Sequence, residues 1–566
     1  MKNLKRLNIL ALILLGFVGI ASAQEPDLSK EITIEADFEP VEQKVTKPNT
    51  LPSVVKKSVE KTDLVYSNWS SVKDIPTMIN KFSPYCISLE QPFSKSKGYV
   101  DLGIGSQLNV AASAGYRLID REEMTLKAWL NHASTWNGKN SSPLAADDPK
   151  TQKYNDNVLA VDFLNKLANG EFTANAYYHI DDFNYYGAYP ASYSNDDYNQ
   201  TANEFGVRLG WKNAAQKDSR LRYSAQLGYN HFGYSKSSYN LDGGIQENAL
   251  QLDAIAEIKS NELRFGVDAS VYYVEYSDII SLEDTDWLAM LKASPYVSYN
   301  NGNLLLSGGL NLDLSANDGA SIRLSPKVKA TYLYGNNISV YANVNGGKRV
   351  NLLSDYHAIC RYLKPSTPIG TSYTPFDAEV GVKIGPFAGF YIKPFFAYGS
   401  FKYEKMLTDS DLGMYATIGD VDIKGWNAGA ELGYKYNDLL EFTANVQCSP
   451  QDNGEGYLTG LDRAELIVDA QVKVTPIKPL AIALGYEARN NRAYYTPYQL
   501  INDSKLSWKK TELENVGNLS LNAYYQVNKK VGVFVNASNL LNKQWDIFYG
   551  MGAQKFNALV GLNVVL

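Results

Sequence analysis

Two places in the sequence bring together residue types that can do chemistry. His179 stands beside Asp181 and Asp182, the pairing of an imidazole base with a carboxylate that could orient it. Thr173, Asn175, Tyr177 and His179 also alternate along one stretch, which puts the imidazole on the polar face of a strand and predicts a hydrated wall residue. His357 and Cys360 are three residues apart in a segment, 354–363, that reads as a short loop helix halted by Pro365. That spacing suits a metal, but two ligands do not make a site, and a loop helix packed on the barrel rim is the expectation. Neither G-x-S-x-G nor H-E-x-x-H occurs. Cys86, Cys360 and Cys448 are too scattered for a disulfide framework. The expectation is therefore no enzyme, no cofactor and no metal centre.

The elements that must position such residues follow from the composition. Tyrosine outnumbers phenylalanine 41 to 20, which favours a boundary between apolar and aqueous phases, where a ring with a polar tip is at home. A net charge of −6 offers no field for gathering nucleic acid. A mean hydropathy of −0.28 excludes a bundle of membrane helices, though not a membrane barrel, whose strands are apolar on one face only.

From Gly98 to the end, apolar and polar residues alternate with the period of a strand. Leu250, Leu252, Ala254, Ala256 and Ile258 oppose Gln251, Asp253, Glu257 and Lys259; Leu263, Phe265, Val267, Ala269 and Val271 oppose Arg264, Asp268 and Ser270. In the last segment, Val560, Leu562 and Val564 oppose Gly561 and Asn563. Short turns, as at 120–123 and 260–261, alternate with longer linkers, as at 137–153 and 347–375. That rhythm is the one of an outer-membrane barrel, with periplasmic turns and external loops. The expected fold is all-β, a transmembrane antiparallel barrel of about 22 strands over residues 98–566. Propellers and sandwiches also alternate, but no repeat near 40 residues accompanies the pattern.

The N-terminus reads differently. Lys2, Lys5 and Arg6 precede an apolar run from Ile9 to Ile20 and then Ala21-Ser22-Ala23, so residues 1–23 are expected to be a secretory signal peptide. Residues 24–97 hold seven of the 21 prolines and a run of lysines that includes Lys56, Lys57 and Lys61, which disfavours regular sheet. The expectation there is a short Pro-rich segment, periplasmic or luminal, with one alternating piece, Glu31-Ile32-Thr33-Ile34-Glu35.

The run Asn539-Leu540-Leu541-Asn542-Lys543-Gln544-Trp545, followed by Tyr549-Gly550 and a last strand, resembles the C-terminal end of TonB-dependent receptors. The resemblance implies a barrel of 22 strands in the outer membrane of a Gram-negative bacterium. Members of that family also carry a plug of well over a hundred residues, and only 24–97 is available here, so it implies a receptor-like barrel lacking a full plug. It further implies that residues 31–36 act as a Ton box, pairing with a periplasmic TonB-type protein by strand addition.

Charged residues opposite the apolar face are expected to line the lumen: Asp253, Glu257, Arg264, Asp268, Glu487 and Arg489. A barrel of this size is too wide for side chains alone to fill, so solvent, residues 24–97 or another chain must occupy it. Asp182, Tyr185, Tyr186 and Tyr189 run into a long external loop, where they suit contacts to sugars or cations, or mark the aromatic girdle at the interface. The functional expectation is transport or channel activity for an unidentified solute. The alternative is a structural or assembly barrel that docks lipoproteins or other barrels. The expected partners are membrane lipids and the TonB-type protein; nucleic acid is not among them.

Overall fold

A computed structural model of the chain describes residues 97–566 apart from 139–150, 187–198, 214–219, 238–242, 278–285, 336, 365–368, 410–415, 451–463, 500–505 and 549. The expected signal peptide and the piece at 31–36 lie outside the described residues.

The strands run in the predicted order, each antiparallel to the next. They are β1 (Gly98–Gly105), β2 (Val110–Asp120), β3 (Met124–Gly138), β4 (Gln152–Leu167), β5 (Gly170–Asn184), β6 (Asn199–Asn213), β7 (Leu221–Tyr234), β8 (Gln246–Ser260), β9 (Leu263–Ser277) and β10 (Trp287–Asn300). Then come β11 (Leu304–Ala316), β12 (Ile322–Tyr334), β13 (Ile338–Val350), β14 (Thr371–Phe387), β15 (Phe390–Asp409), β16 (Ala416–Tyr436), β17 (Leu440–Cys448), β18 (Ala464–Ile477) and β19 (Leu480–Gln499). Leu506–Leu513 and Val516–Gln526 pair with successive halves of β19 and make up one stave. Val531–Ser538 and Asn557–Val565 complete the wall. The 23 hydrogen-bonded segments thus form 22 staves, as the alternation predicted. Asn557–Val565 pairs with β1, Tyr99 opposite Val565, and closes the ring. Closure leaves no unpaired edge, which is what lets a sheet stand in hydrocarbon.

The two faces sort as the period of two requires. Leu252 lies opposite Leu227 and Val271, and all three side chains stay exposed on the convex side. Aromatic rings mark the two ends of this apolar belt. Tyr273 stacks on Trp287 and Phe376 on Tyr398 toward the long-loop end. Tyr334, Phe387, Phe390 and Tyr436 are exposed near the short-turn end. Such girdles sit at the level of the lipid headgroups.

On the concave face many tyrosines lie over glycines of the neighbouring strand. Tyr177 pairs with Gly206, Tyr296 with Gly266 and Tyr391 with Gly433, and a Cβ at any of those glycines would collide with the ring. The hydroxyl then reaches an acid: Tyr177 donates to Glu204 at 2.6 Å and Tyr391 to Glu431 at 2.7 Å. Glycine is needed here for room, and the phenol finds the partner that a half-buried hydroxyl requires.

Two local features depart from the sequence reading. The linker expected over 347–375 is shorter, because β13 and β14 stay paired to Val350 opposite Thr371 across a bulge between Asn345 and Gly347. The loop helix, α1, spans Leu353–Ile359 and ends six residues before Pro365, so the proline is not what stops it.

Candidate functional site

Both termini of the ring lie at the end with the short turns, so the opposite end is the external one. There the strands β4, β5, β7, β8, β9 and β10 turn aromatic and apolar side chains inward, among them Phe183, Phe232, Tyr234, Val274 and Leu288, each no more than 3 % exposed. Leu353, Tyr356, Cys360, Tyr362 and Leu363, from the connection between β13 and β14, complete this core. The connection read from the sequence as a loop helix packed on the barrel rim is packed further in, against the inner wall of the mouth.

Polar anchors fix it. The Glu247 carboxylate accepts the backbone N–H of Leu353 at 2.7 Å and of Ser354 at 3.4 Å, two donors that the first turn of α1 leaves unpaired. Asn230 donates to Ser354 Oγ at 3.0 Å. The ring of His357 is held on both sides, with Nδ1 3.0 Å from the Tyr234 hydroxyl and Nε2 3.1 Å from Asp181. Arg361 stands 3.2 Å from Asp181 and 3.4 Å from Asp156, and 4.3 Å over the Tyr154 ring. Burial, the largest single influence, works against its charge, but Asp181 together with Tyr362, Asp156 and Tyr154 outweighs it and holds the guanidinium above its ordinary pKa. Gln152 donates to the Tyr362 hydroxyl at 3.0 Å, and the Tyr185 hydroxyl donates to Leu363 O at 3.0 Å.

These contacts bear on the chemistry considered for His179, His357 and Cys360. His179 sits between Asp156 at 3.2 Å and Glu204 at 3.5 Å, while Asp181 serves the loop and Asp182 accepts from Thr201 at 2.7 Å. The three do not form a base and its orienter. With both ring nitrogens of His357 engaged, the His357/Cys360 spacing offers a metal no free imidazole. Among the described residues, no group of three or more His, Cys, Asp or Glu side chains is placed to hold an ion.

A second external connection meets the first. Asn539 and Asn542 take left-handed conformations at φ 49° each, and the Asn539 side chain receives the Lys543 N–H at 2.9 Å and donates to Gln554 O at 3.1 Å. The asparagine-rich run is thus a turn that tucks Trp545 inward to 2 % exposure. Beyond it Phe548 and Met551 join the same core as Tyr362, and Tyr186 donates its hydroxyl to Gly552 O at 3.1 Å.

The acids and bases expected in the lumen lie on the concave face, where side chains from non-adjacent strands converge. Glu257 accepts the Tyr296 hydroxyl from two strands away at 2.7 Å and pairs with Arg222 at 3.3 Å and Arg264 at 3.5 Å. Asp268 pairs with Lys327 on β12. Arg489 bridges Asp469 at 2.9 Å and Glu487 at 3.0 Å. Asp253 accepts from Gln251 at 2.6 Å. These charges find partners within the wall, so protein as well as water solvates them. Tyr185 and Tyr186 are 3 % and 1 % exposed, packed inside the mouth rather than displayed on a loop tip or in the girdle. Asp182 sits at the rim, and Tyr189 lies outside the described residues. The inward connection was missed in the sequence; the Gly346-Gly347 doublet within an alternating run was its one local signal.

No protein-family model and no curated protein matches the chain. Solved structures do. The ferripyoverdine receptor of the outer membrane of Pseudomonas aeruginosa is 14% identical, with a TM-score of 0.59 over 84% of this chain and 72% of that one. The siderophore receptor PirA from Acinetobacter baumannii is 11% identical, with a TM-score of 0.63 over 84% and 81%. The FrpB iron transporter from Neisseria meningitidis is 12% identical, with a TM-score of 0.62 over 84% and 82%. The chain thus has the 22-strand barrel fold of TonB-dependent outer-membrane receptors. Its apolar belt and closed ladder are those of a barrel that stands in a membrane, and the ferripyoverdine receptor that shares the fold is a protein of the outer membrane.

Proposed function

We propose that the chain is an uptake barrel for a polar solute. The observation that carries this is the concave wall: below the packed mouth it is polar, it closes into a ring of 22 staves and it spends its charges on pairs within itself. A wall of that kind offers a hydrated path without a fixed charge that would trap the solute. The solved barrels of the same fold include receptors for siderophores and a transporter for iron, transport proteins rather than enzymes.

Asp253, Glu257, Arg264, Asp268, Glu487 and Arg489 line the path in this reading. Residues 31–36 add a strand to a TonB-type periplasmic protein, and part of 41–97 serves as a partial plug. Deleting residues 31–36 then abolishes accumulation of the solute while the barrel still folds. Deleting residues 24–97 raises the conductance of the purified barrel in planar bilayers. Unchanged uptake after the first deletion removes the coupling role, and unchanged conductance after the second removes the plug.

A second reading has an observation of its own. The packed external mouth favours a barrel that serves as a structural or assembly partner for lipoproteins or other barrels. Native co-purification separates the two: a silent barrel with fixed stoichiometric partners supports the scaffold, and a conducting barrel without them supports uptake.

A further inference from the structure

At the bulge after Asn345, β13 parts from β12, while β14 stays paired with β15 as far as Tyr373. Gly347 has φ +127°, a conformation closed to residues with a side chain, and a Cβ there would press on Lys292 Nζ at 2.8 Å. Beyond the bulge β13 leans over the inner face of β11. The Lys348 N–H donates to Asp313 at 2.6 Å, and its ammonium donates to Ser315 Oγ at 2.6 Å.

From there the chain moves steadily round the mouth. Leu353 and Ser354 meet Glu247 on β8, and Ser354 also meets β7 through Asn230. His357 and Arg361 meet Asp181 on β5, and Arg361 and Tyr362 meet Asp156 and Gln152 on β4. In a ring of 22, β4 is ten places from β14, close to diametrically opposite. Lys364 N–H then donates to Ala416 O at 2.8 Å, at the start of β16.

The far-wall contacts are not incidental packing. Asp181 and Glu247 are 1 % and 0 % exposed, and a carboxylate is held so deep only where ionic or hydrogen-bonding partners repay its lost hydration. The partners here are supplied by the crossing segment itself. We infer that residues 346–364 are a bar across the external mouth, latched to the far wall by Asp181 with His357 and Arg361 and by Glu247 with the first turn of α1. Solute passes only when that latch is undone. This concerns the passage, whatever its cargo, and goes beyond the uptake reading.

The test uses the full chain in intact cells with Cys86→Ser, Cys360→Ser and Cys448→Ser, and one reporter, Gln251→Cys, on the inner face of β8 four residues below Glu247. A bulky membrane-impermeant maleimide added outside reads access past the bar. Labelling should be slow with the bar intact. It should rise at least tenfold when residues 351–369 are replaced by a four-residue Gly-Ser turn, and also in the full-length latch variant Asp181→Asn with Glu247→Gln. Folding of each variant is checked by the faster migration of the unheated barrel relative to the heated chain. Equal labelling rates with and without the bar, whether fast or slow, overturn the inference. A bar that gates access in a barrel without solute uptake would leave this inference standing and remove the function proposed above.

Discussion

Asp181 and Arg361 stand 3.2 Å apart although one belongs to the wall at β5 and the other to the connection that follows β13. The carboxylate side chain is 2 % exposed and carries His357 as well. Breaking a buried pair by removing one partner costs up to about 3–5 kcal/mol, and here Asp156 at 3.4 Å from Arg361 offsets part of that loss. Asp181→Ala should therefore free the connection, read as faster cleavage within 351–370 by external protease. The double variant Asp181→Asn with Arg361→Gln should cost less than the two single changes added together.

Gly347→Val should prevent the bulge, because a β-branched residue cannot adopt its backbone and the new side chain would strike Lys292. Strain of this kind amounts to about 1–3 kcal/mol. The barrel should still insert, since β13 and β14 pair from Ile338–Ile384 to Asn345–Asp377 below that point. The Cys360 thiol, now 1 % exposed, should become reactive to external maleimide in the variant and stay protected in the parent.

Gly206→Val tests the ring-over-glycine joints. The added side chain would collide with Tyr177, and overpacking of that sort costs about 1–3 kcal/mol. The temperature at which the unheated, fast-migrating form is lost should fall. Adding Tyr177→Ala should restore part of it, although the ring's hydrogen bond to Glu204 is then gone.

The assignment of faces is checked by charge. Leu252→Arg or Val267→Arg puts a guanidinium into the lipid belt and should lower the yield of folded barrel, by roughly 2–4 kcal/mol near the midplane. Ser270→Arg points into the lumen beside Asp253 and should be tolerated. Asn563 would be a poor control despite facing the same way, because it is 6 % exposed and donates to Asp101. Equal yields for both faces would mean that the wall is not lipid-facing, and a low yield for Ser270→Arg alone would mean that the faces are reversed.

The ladder was legible because a strand's period of two survives in sequence even where every loop differs. Leu252 and Asp253 declare their faces by type alone. The run from Asn539 to Trp545 was legible as a pattern, and its cause is local: two asparagines that tolerate left-handed backbone and one side chain that ties the turn. The mouth was not legible. Tyr185 and Tyr186 look the same in sequence whether they sit in a lipid girdle, on a loop tip or in a packed core, because their burial depends on a connection that arrives from across the ring. Glu247 likewise reads as one more polar wall residue until the first turn of α1 is set above it.

The joining of Tyr99 to Val565 bears on how the molecule is made. Every other pairing of staves links neighbours in the chain and can form as soon as both are present. The seam alone brings together segments from the two ends of the sheet, so it carries the largest loss of chain entropy and must form last. Until then the growing sheet has two bare edges, of which β1 offers eight residues and the final stave nine. Those edges are the sites where one nascent chain could add to another. Side-chain changes along them should therefore alter the yield of assembled barrel more than its stability once closed.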